Sequence, residues 1–381
     1  MLNTFGKNTV PGTAEMLLYL DILTYFPEFA HGDYETAGDF VREYLQTPAK
    51  KRPTTMFSGF CHDERSGVAE IMEKISRFDR LMKLKIAYAP SETDNINSLC
   101  FTEDTILPCG KIPKRKVYII IGCNYRLGEY SCGGVLTNTW ADNFLGAVQA
   151  DTVEQQSILS FFDKAVAAAK KDLPGNTELS ITVSGHSKAG NMAQYITILR
   201  EEVNRCISFD GQGFSGRFVR KYREQILRRG SKIISICPNV SITGSLLHCL
   251  ENVRTIHIKT AVLGEKGGHI IPLYYHIPVS VLDDSGKLRA RTKHWTALNN
   301  ILRSLSMLPE NMARVLPLWD EERALKRIGT AIMRYFKGDK ATAVCELLDP
   351  HALFLIAAGL IAAAVLAPFM LVKAIFGKSY P

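Results

Sequence analysis

The sequence is as informative in what it lacks as in what it holds. Its nine cysteines are odd in number and scattered, and no two form a Cys-x-x-Cys pair. That spacing excludes a zinc ribbon or a dithiol redox centre and suits reduced thiols. Met1 to Pro11 contains no apolar run behind basic residues, so no cleavable secretory signal is expected. The glycines from Gly128 to Gly134 have neither the G-x-G-x-x-G spacing nor a following helix, and no histidine and carboxylate cluster stands out. Neither a cofactor nor a metal is therefore expected. The net charge of +8 would suit an acidic partner, but recognition-helix, zinc-finger and RNA-stacking motifs are all missing. Nucleic acid is not expected; the basic residues gather near the C-terminus, which favours lipid.

What is present reads as a folded chain, 46% hydrophobic and 22% charged. Short β-branched runs alternate with amphipathic helices, the pattern of an α/β fold with a mostly parallel sheet flanked by helices. Helices are expected over residues 13–30 and 67–85, the second with Val68, Ile71, Met72, Ile75, Phe78, Leu81 and Met82 on one face. The run from Lys116 to Gly122 reads as a buried central strand. A capping box, Thr152 with Gln155, opens a helix running to about Lys171. Strands follow at 179–184, 206–210, 232–237 and 254–260, with a helix at 215–229 closed by Gly230 and a hairpin at 279–292. Helices are expected again at 295–307 and 320–336.

The segment Gly185-His186-Ser187-Lys188-Ala189-Gly190 lies between the strand Leu179 to Ser184 and the helical stretch that begins at Asn191. A serine nucleophile must project from a sharp strand-to-helix turn, and that turn needs small residues two before and two after it. Gly185 and Ala189 occupy those places, Ala189 replacing the usual glycine. Ser187 is the candidate nucleophile; a helix-capping serine in a glycine-rich turn is the alternative.

At these residues the chain resembles the uncharacterised bacterial Mbeg-like proteins, of lipase-like α/β-hydrolase type and similar in pattern to fungal-type triacylglycerol lipases. The resemblance spans roughly residues 14–292. It is carried by Leu18 to Leu23, by Trp140-Ala-Asp142-Asn-Phe144, by the elbow itself, by Phe209-Asp210-Gly211-Gln-Gly213-Phe214, and by Ser235 to Pro238 followed by Ser241 to Gly244. It implies an α/β-hydrolase-like domain and leaves the substrate open.

Triad order in such a fold is serine, acid, histidine. His269, in the glycine-rich loop after the strand at 254–260, is the first candidate base, with His276 second. His248, His257 and His186 are better explained by structural roles. Asp210 is the candidate acid, with a cap on the Gly211 turn as the equal alternative. The oxyanion donors would be the Lys188 N–H and a backbone donor at Cys123, unless the strand merely turns at Gly122.

Ala352 to Val372 carries no charge over about 20 residues, roughly one bilayer's worth of helix. The expected organisation is an α/β-hydrolase-like catalytic domain at 1–310, a basic helical connector at 311–350 and a C-terminal membrane-anchor segment with a hydrophobic transmembrane helix at 351–381. The expected activity is hydrolysis of an ester or thioester of an apolar acyl group, with a lipid or acyl-ester small molecule as substrate and the catalytic domain in the cytosol. An acyltransferase, or an inactive hydrolase fold that binds lipid or protein, are the alternatives.

Overall fold

The computed structural model describes residues 12–53, 64–91, 96–105, 114–122, 138–171, 173, 177–238, 241, 243–259, 282–283, 285–292, 296–316, 318–336 and 339–359. Seven strands form one sheet whose spatial order follows the chain: β1 (Lys85–Tyr88), β2 (Leu99–Thr105), β3 (Lys114–Ile121), β4 (Glu178–His186), β5 (Val203–Phe209), β6 (Ile233–Pro238) and β7 (Arg254–Ile258). β3 to β7 are parallel, and β1 and β2 are antiparallel additions at the edge.

Parallel strands laid down in strict succession, each joined by a right-handed crossover, put all of their helices on one face. Here these are α6 (Asn138–Leu145) and α7 (Val153–Lys170) between β3 and β4, α8 (Lys188–Leu199) between β4 and β5, and α9 (Gly216–Lys221) with α10 (Arg223–Arg229) before β6. Val117, Ile119, Ile121, Ile181 and Val183 pack against α7 and α8. The opposite face would be bare without the N-terminal helices. α1 (Thr13–Leu23), α3 (Ala37–Gln46) and α4 (Glu64–Ser76) cover it, in contact with Tyr118, Ile120, Ile207 and Ile236. Every residue of α1 from Ala14 to Leu23 is buried, as befits a helix that is apolar on all sides.

The sequence expectations hold for the parallel core and shift at several boundaries. The helix expected over 13–30 breaks after Leu23, and α2 (Pro27–His31) restarts with Pro27 at its first position. The helix expected over 67–85 is α4, a separate turn α5 (Asp79–Met82), and the first residue of β1. The helix at 215–229 is divided at Tyr222, and Gly230 takes right-handed backbone (φ −55°) to open a 3-10 turn rather than a left-handed cap. Of the hairpin at 279–292 the described residues retain a single bridge, Leu282 to Leu288, while Arg291 bridges back to Ile258 of β7.

The C-terminal helices Thr296–Ser306, Leu308–Val315, Glu321–Phe336, Lys340–Leu347 and Pro350–Gly359 pack on the α6 end of the molecule. Ala324, Leu325, Met312 and Leu355 join Ala147, Val148 and Leu247 in a third apolar cluster. Among the described residues no single helix is long and apolar enough to cross a membrane. Lys340–Leu347 and Pro350–Gly359, bent by 81° at their junction, meet that length and composition only as a pair. Residues 360–372 of the expected span lie outside the described residues.

Candidate functional site

The carboxyl end of β4 runs into α8 with Ser187 as the only intervening residue. Ser187 has φ 59° and ψ −121°, a backbone conformation that side-chain-bearing residues seldom adopt and that costs on the order of 1–3 kcal/mol. The conformation answers the capping alternative. The Ser187 side chain makes no capping hydrogen bond to α8, so its hydroxyl is not spent on the helix. From Ile181 to Ile198 every residue is buried except Ser187.

Neighbouring backbone explains why the turn needs its small residues. A Cβ on Gly185 would stand 2.4 Å from the Ala189 carbonyl oxygen, and one on Gly190 would meet Ser208 Oγ at 2.8 Å and Gly211 Cα at 2.9 Å. The replacement of glycine at 189 is thereby accommodated: Ala189 buries its methyl in the α7–α8 core, and the closest approach to β5 falls on Gly190. Alternation along β4 sends Ser184 and His186 to the face opposite Val183. There Ser184 Oγ donates to Asp21 Oδ2 at 2.9 Å, and the Tyr25 hydroxyl bonds His186 Nδ1. Burial raises the Asp21 carboxyl well above its ordinary value and lowers His186 to about 3. An enclosed imidazole of such weakened basicity supports packing and is a poor proton acceptor.

Asp210 stands at the carboxyl end of β5, adjacent to the elbow: the Ser187 N–H donates to the carbonyl of Phe209 at 2.9 Å, and His186 pairs with Phe209 in the sheet register. It too has left-handed backbone (φ 49°) and is 1% exposed. Its Oδ1 accepts from the Ser241 hydroxyl and from the Gly244 N–H at 3.1 Å. Those donors belong to the segment after β6, so the carboxylate braces two strand ends rather than capping the Gly211 turn. Its Oδ2 is buried and has no partner among the described residues.

Lys188, the first residue of α8, has a backbone N–H with no acceptor inside the helix, as an oxyanion donor requires. Its side chain, 2% exposed, forms an ion pair of 2.6 Å with Asp142 of α6. Gly122 N–H is already taken by Ser98 Oγ at 3.0 Å. Cys123, His269 and His276 lie outside the described residues. His248 exchanges backbone bonds with Phe214 and lies half-buried near Glu310, and His257 is held within β7. Among the described residues no three His, Cys, Asp or Glu side chains stand close enough to share a metal ion.

Sequence reasoning did not assign roles to Asp142 and Ser241. Both fall in segments that carry the family resemblance, yet neither has a local signature for the contact it makes.

Burial lifts the Asp210 carboxyl from its ordinary 3.8 to about 6, with the Ser241 and Gly244 hydrogen bonds opposing the shift. The folded chain therefore binds this proton more tightly than the unfolded one. The stabilisation is complete below pH 3.8 and is lost as pH rises through about 6. Asp210→Asn keeps an acceptor for Ser241 and Gly244 without the buried charge. Its thermal midpoint relative to wild type is expected to rise between pH 4 and pH 8, by an amount worth up to about 3 kcal/mol. Equal differences at both pH values would contradict the assignment.

Comparison with curated proteins and with solved structures gives no match. Residues 136–267, which hold α6 with Asp142, the Ser187 elbow, Asp210 and the Ser241 segment, match the model of the Mbeg1-like family.

Proposed function

We propose that the chain is a serine hydrolase that cleaves an ester or thioester of an apolar acyl group through an acyl-enzyme on Ser187. The observation that carries this reading is Ser187 itself: left-handed backbone, a hydroxyl not used to cap α8, and the one partly accessible position in an otherwise buried strand-turn-helix. In the proposed reaction Ser187 Oγ attacks the acyl carbonyl as His269 takes its proton. The carbonyl oxygen becomes an oxyanion held by the Lys188 N–H and a backbone donor at Cys123. The C–O or C–S bond breaks, the alcohol or thiol leaves with the proton from His269, and water reverses the sequence to release the acid. Asp210 offers its unpartnered Oδ2 to orient the imidazole.

The lipid character of the substrate is proposed from location. The chain would be held to a membrane by residues 352–372, with its catalytic domain on the cytosolic side. Of the nine most exposed large apolar residues described, seven fall between Val315 and Phe354, and Leu318 is 94% exposed. They adjoin, in sequence, the uncharged run.

Selective fluorophosphonate labelling at Ser187 is expected, and Ser187→Ala should abolish it while leaving the fold intact. His269→Ala should lower turnover of a short-chain aryl ester by on the order of a thousandfold or more, and His276→Ala by less. An unreactive wild-type chain would leave the binding-module alternative; preferred transfer to an added alcohol would make it an acyltransferase.

The full-length chain is expected to pellet with membranes and to stay there through a high-salt wash. A chain ending at Gly359 keeps Leu355 and Ala358 with the third apolar cluster, and it should be released from the membrane while still reacting with fluorophosphonate. Full-length protein that remains in solution without detergent would remove the anchor and, with it, the case for a lipid substrate.

A further inference from the structure

The residue after the candidate nucleophile is a lysine whose ammonium is buried. Lys188 is 2% exposed and Asp142 8%, and they meet at 2.6 Å. Enclosing both charges is a demanding choice, because desolvation offsets much of their attraction and an apolar pair of similar volume is often as stable. Stability alone gives no reason for the pair. Its connections supply one.

Asp142 is itself fixed from a second side: Thr152 Oγ donates to its Oδ2 at 2.7 Å and the Glu154 N–H to its Oδ1 at 3.3 Å. Thr152 caps α7 together with Gln155, whose Oε1 accepts from the Thr152 N–H at 2.9 Å. Gln155 Nε2 in turn donates to Asn191 Oδ1 at 2.8 Å, one turn along α8 from Lys188. Asn191 Nδ2 donates to the carbonyls of Gln212 at 3.2 Å and Gly213 at 2.9 Å, in the segment that follows Asp210. Gln212 closes the ring by donating to the Asn143 carbonyl, next to Asp142, at 3.3 Å. One circuit of polar contacts thus joins α6, the start of α7, the first turn of α8 and the strand end that carries Asp210. Lys188 is where the circuit meets the elbow.

We infer that Lys188 and Asp142 are positioning residues, which hold the Lys188 backbone N–H in register with Ser187 so that it can receive the oxyanion. This rests on the serine-hydrolase reading. The lysine side chain acts through the backbone of its own residue, and Asp142 acts through the lysine. An enclosed ion pair at 2.6 Å ties the first residue of α8 to α6 at a set distance, a constraint that an apolar contact does not impose.

The test uses the full-length protein in detergent, with fluorophosphonate labelling rate, aryl-ester kcat and KM, and thermal midpoint measured together. Lys188→Met and Asp142→Asn each strand a buried partner and are expected to lower the midpoint as well as activity. Two further variants separate folding from positioning. The double variant Lys188→Met with Asp142→Asn removes both charges and keeps an amide at 142 for the Thr152 hydroxyl and the Glu154 N–H, and Lys188→Arg keeps the charge while altering its reach. Both are expected to fold with a midpoint near wild type. In both, kcat and the labelling rate should fall, by about 100-fold in the double variant, the size of losing one oxyanion donor, while KM stays within about threefold. A labelled wild type with either folded variant retaining wild-type kcat would overturn the inference and leave the serine reading standing. A wild type with no labelling at Ser187 would overturn both.

Discussion

Everything around the site depends on the left-handed backbone at Ser187. A strained residue persists only where its surroundings over-determine it, and here they do so from three directions. Along the sheet, the Ser187 N–H is tied to Phe209 of β5. Across the turn, Gly185 and Gly190 let backbone approach backbone at distances a side chain would forbid. From behind, α1 holds β4 through Asp21 to Ser184, and Tyr25 just beyond it holds His186. The N-terminal helix is therefore more than a cover for the open sheet face; it is part of the scaffold that fixes the turn.

The same close packing leaves ionisable groups without water, and the chain meets each case differently. Asp21 is given one hydroxyl donor and is pushed toward its neutral form by burial. Lys188 and Asp142 neutralise each other. Asp210 is intermediate: two donors support one oxygen, the other is left buried, and its carboxyl settles at about 6. A carboxylate so placed gains from any further N–H donor that reaches its second oxygen.

How much of this could be read from sequence follows from how local each determinant is. The elbow was legible because its requirements, a β-branched strand, small residues and a helix, are consecutive. The α7 capping box was legible for the same reason, and both of its reciprocal bonds are present. β2 was not, because its outer half, Thr102-Glu-Asp-Thr105, has the composition of a loop. Its charges find partners only in the fold, where Glu103 faces Lys116 and Asp104 faces Arg115 across the antiparallel register and Glu103 also meets Arg80 of α5. Asp142 and Ser241 were invisible in the same sense: each is an ordinary polar residue until folding brings Lys188 or Asp210 against it. The break at Tyr222 and the right-handed Gly230 show the reverse error, a local signal overruled by packing against α8 and β5.

The C-terminal helices show how folding can change the meaning of charge. In sequence, Arg323, Lys326, Arg327, Arg334, Lys337 and Lys340 form a basic cluster of the sort that draws a chain to anionic lipid. In the fold, Arg323 meets Asp349 at 2.7 Å, Arg327 meets Glu346 at 2.6 Å, Arg334 lies 3.4 Å from Asp339 and 3.6 Å from Glu346, and Lys326 is 4.0 Å from Glu322. These pairs leave their cations exposed while largely enclosing Asp349 and Glu346. They do cancel the local field, because acids that follow the cluster in the chain are brought back beside it by the bend between helices. Beside these pairs the same end of the molecule leaves apolar area exposed at Leu318, Leu348, Leu353 and Phe354, and association through apolar area, unlike association through charge, is little screened by salt.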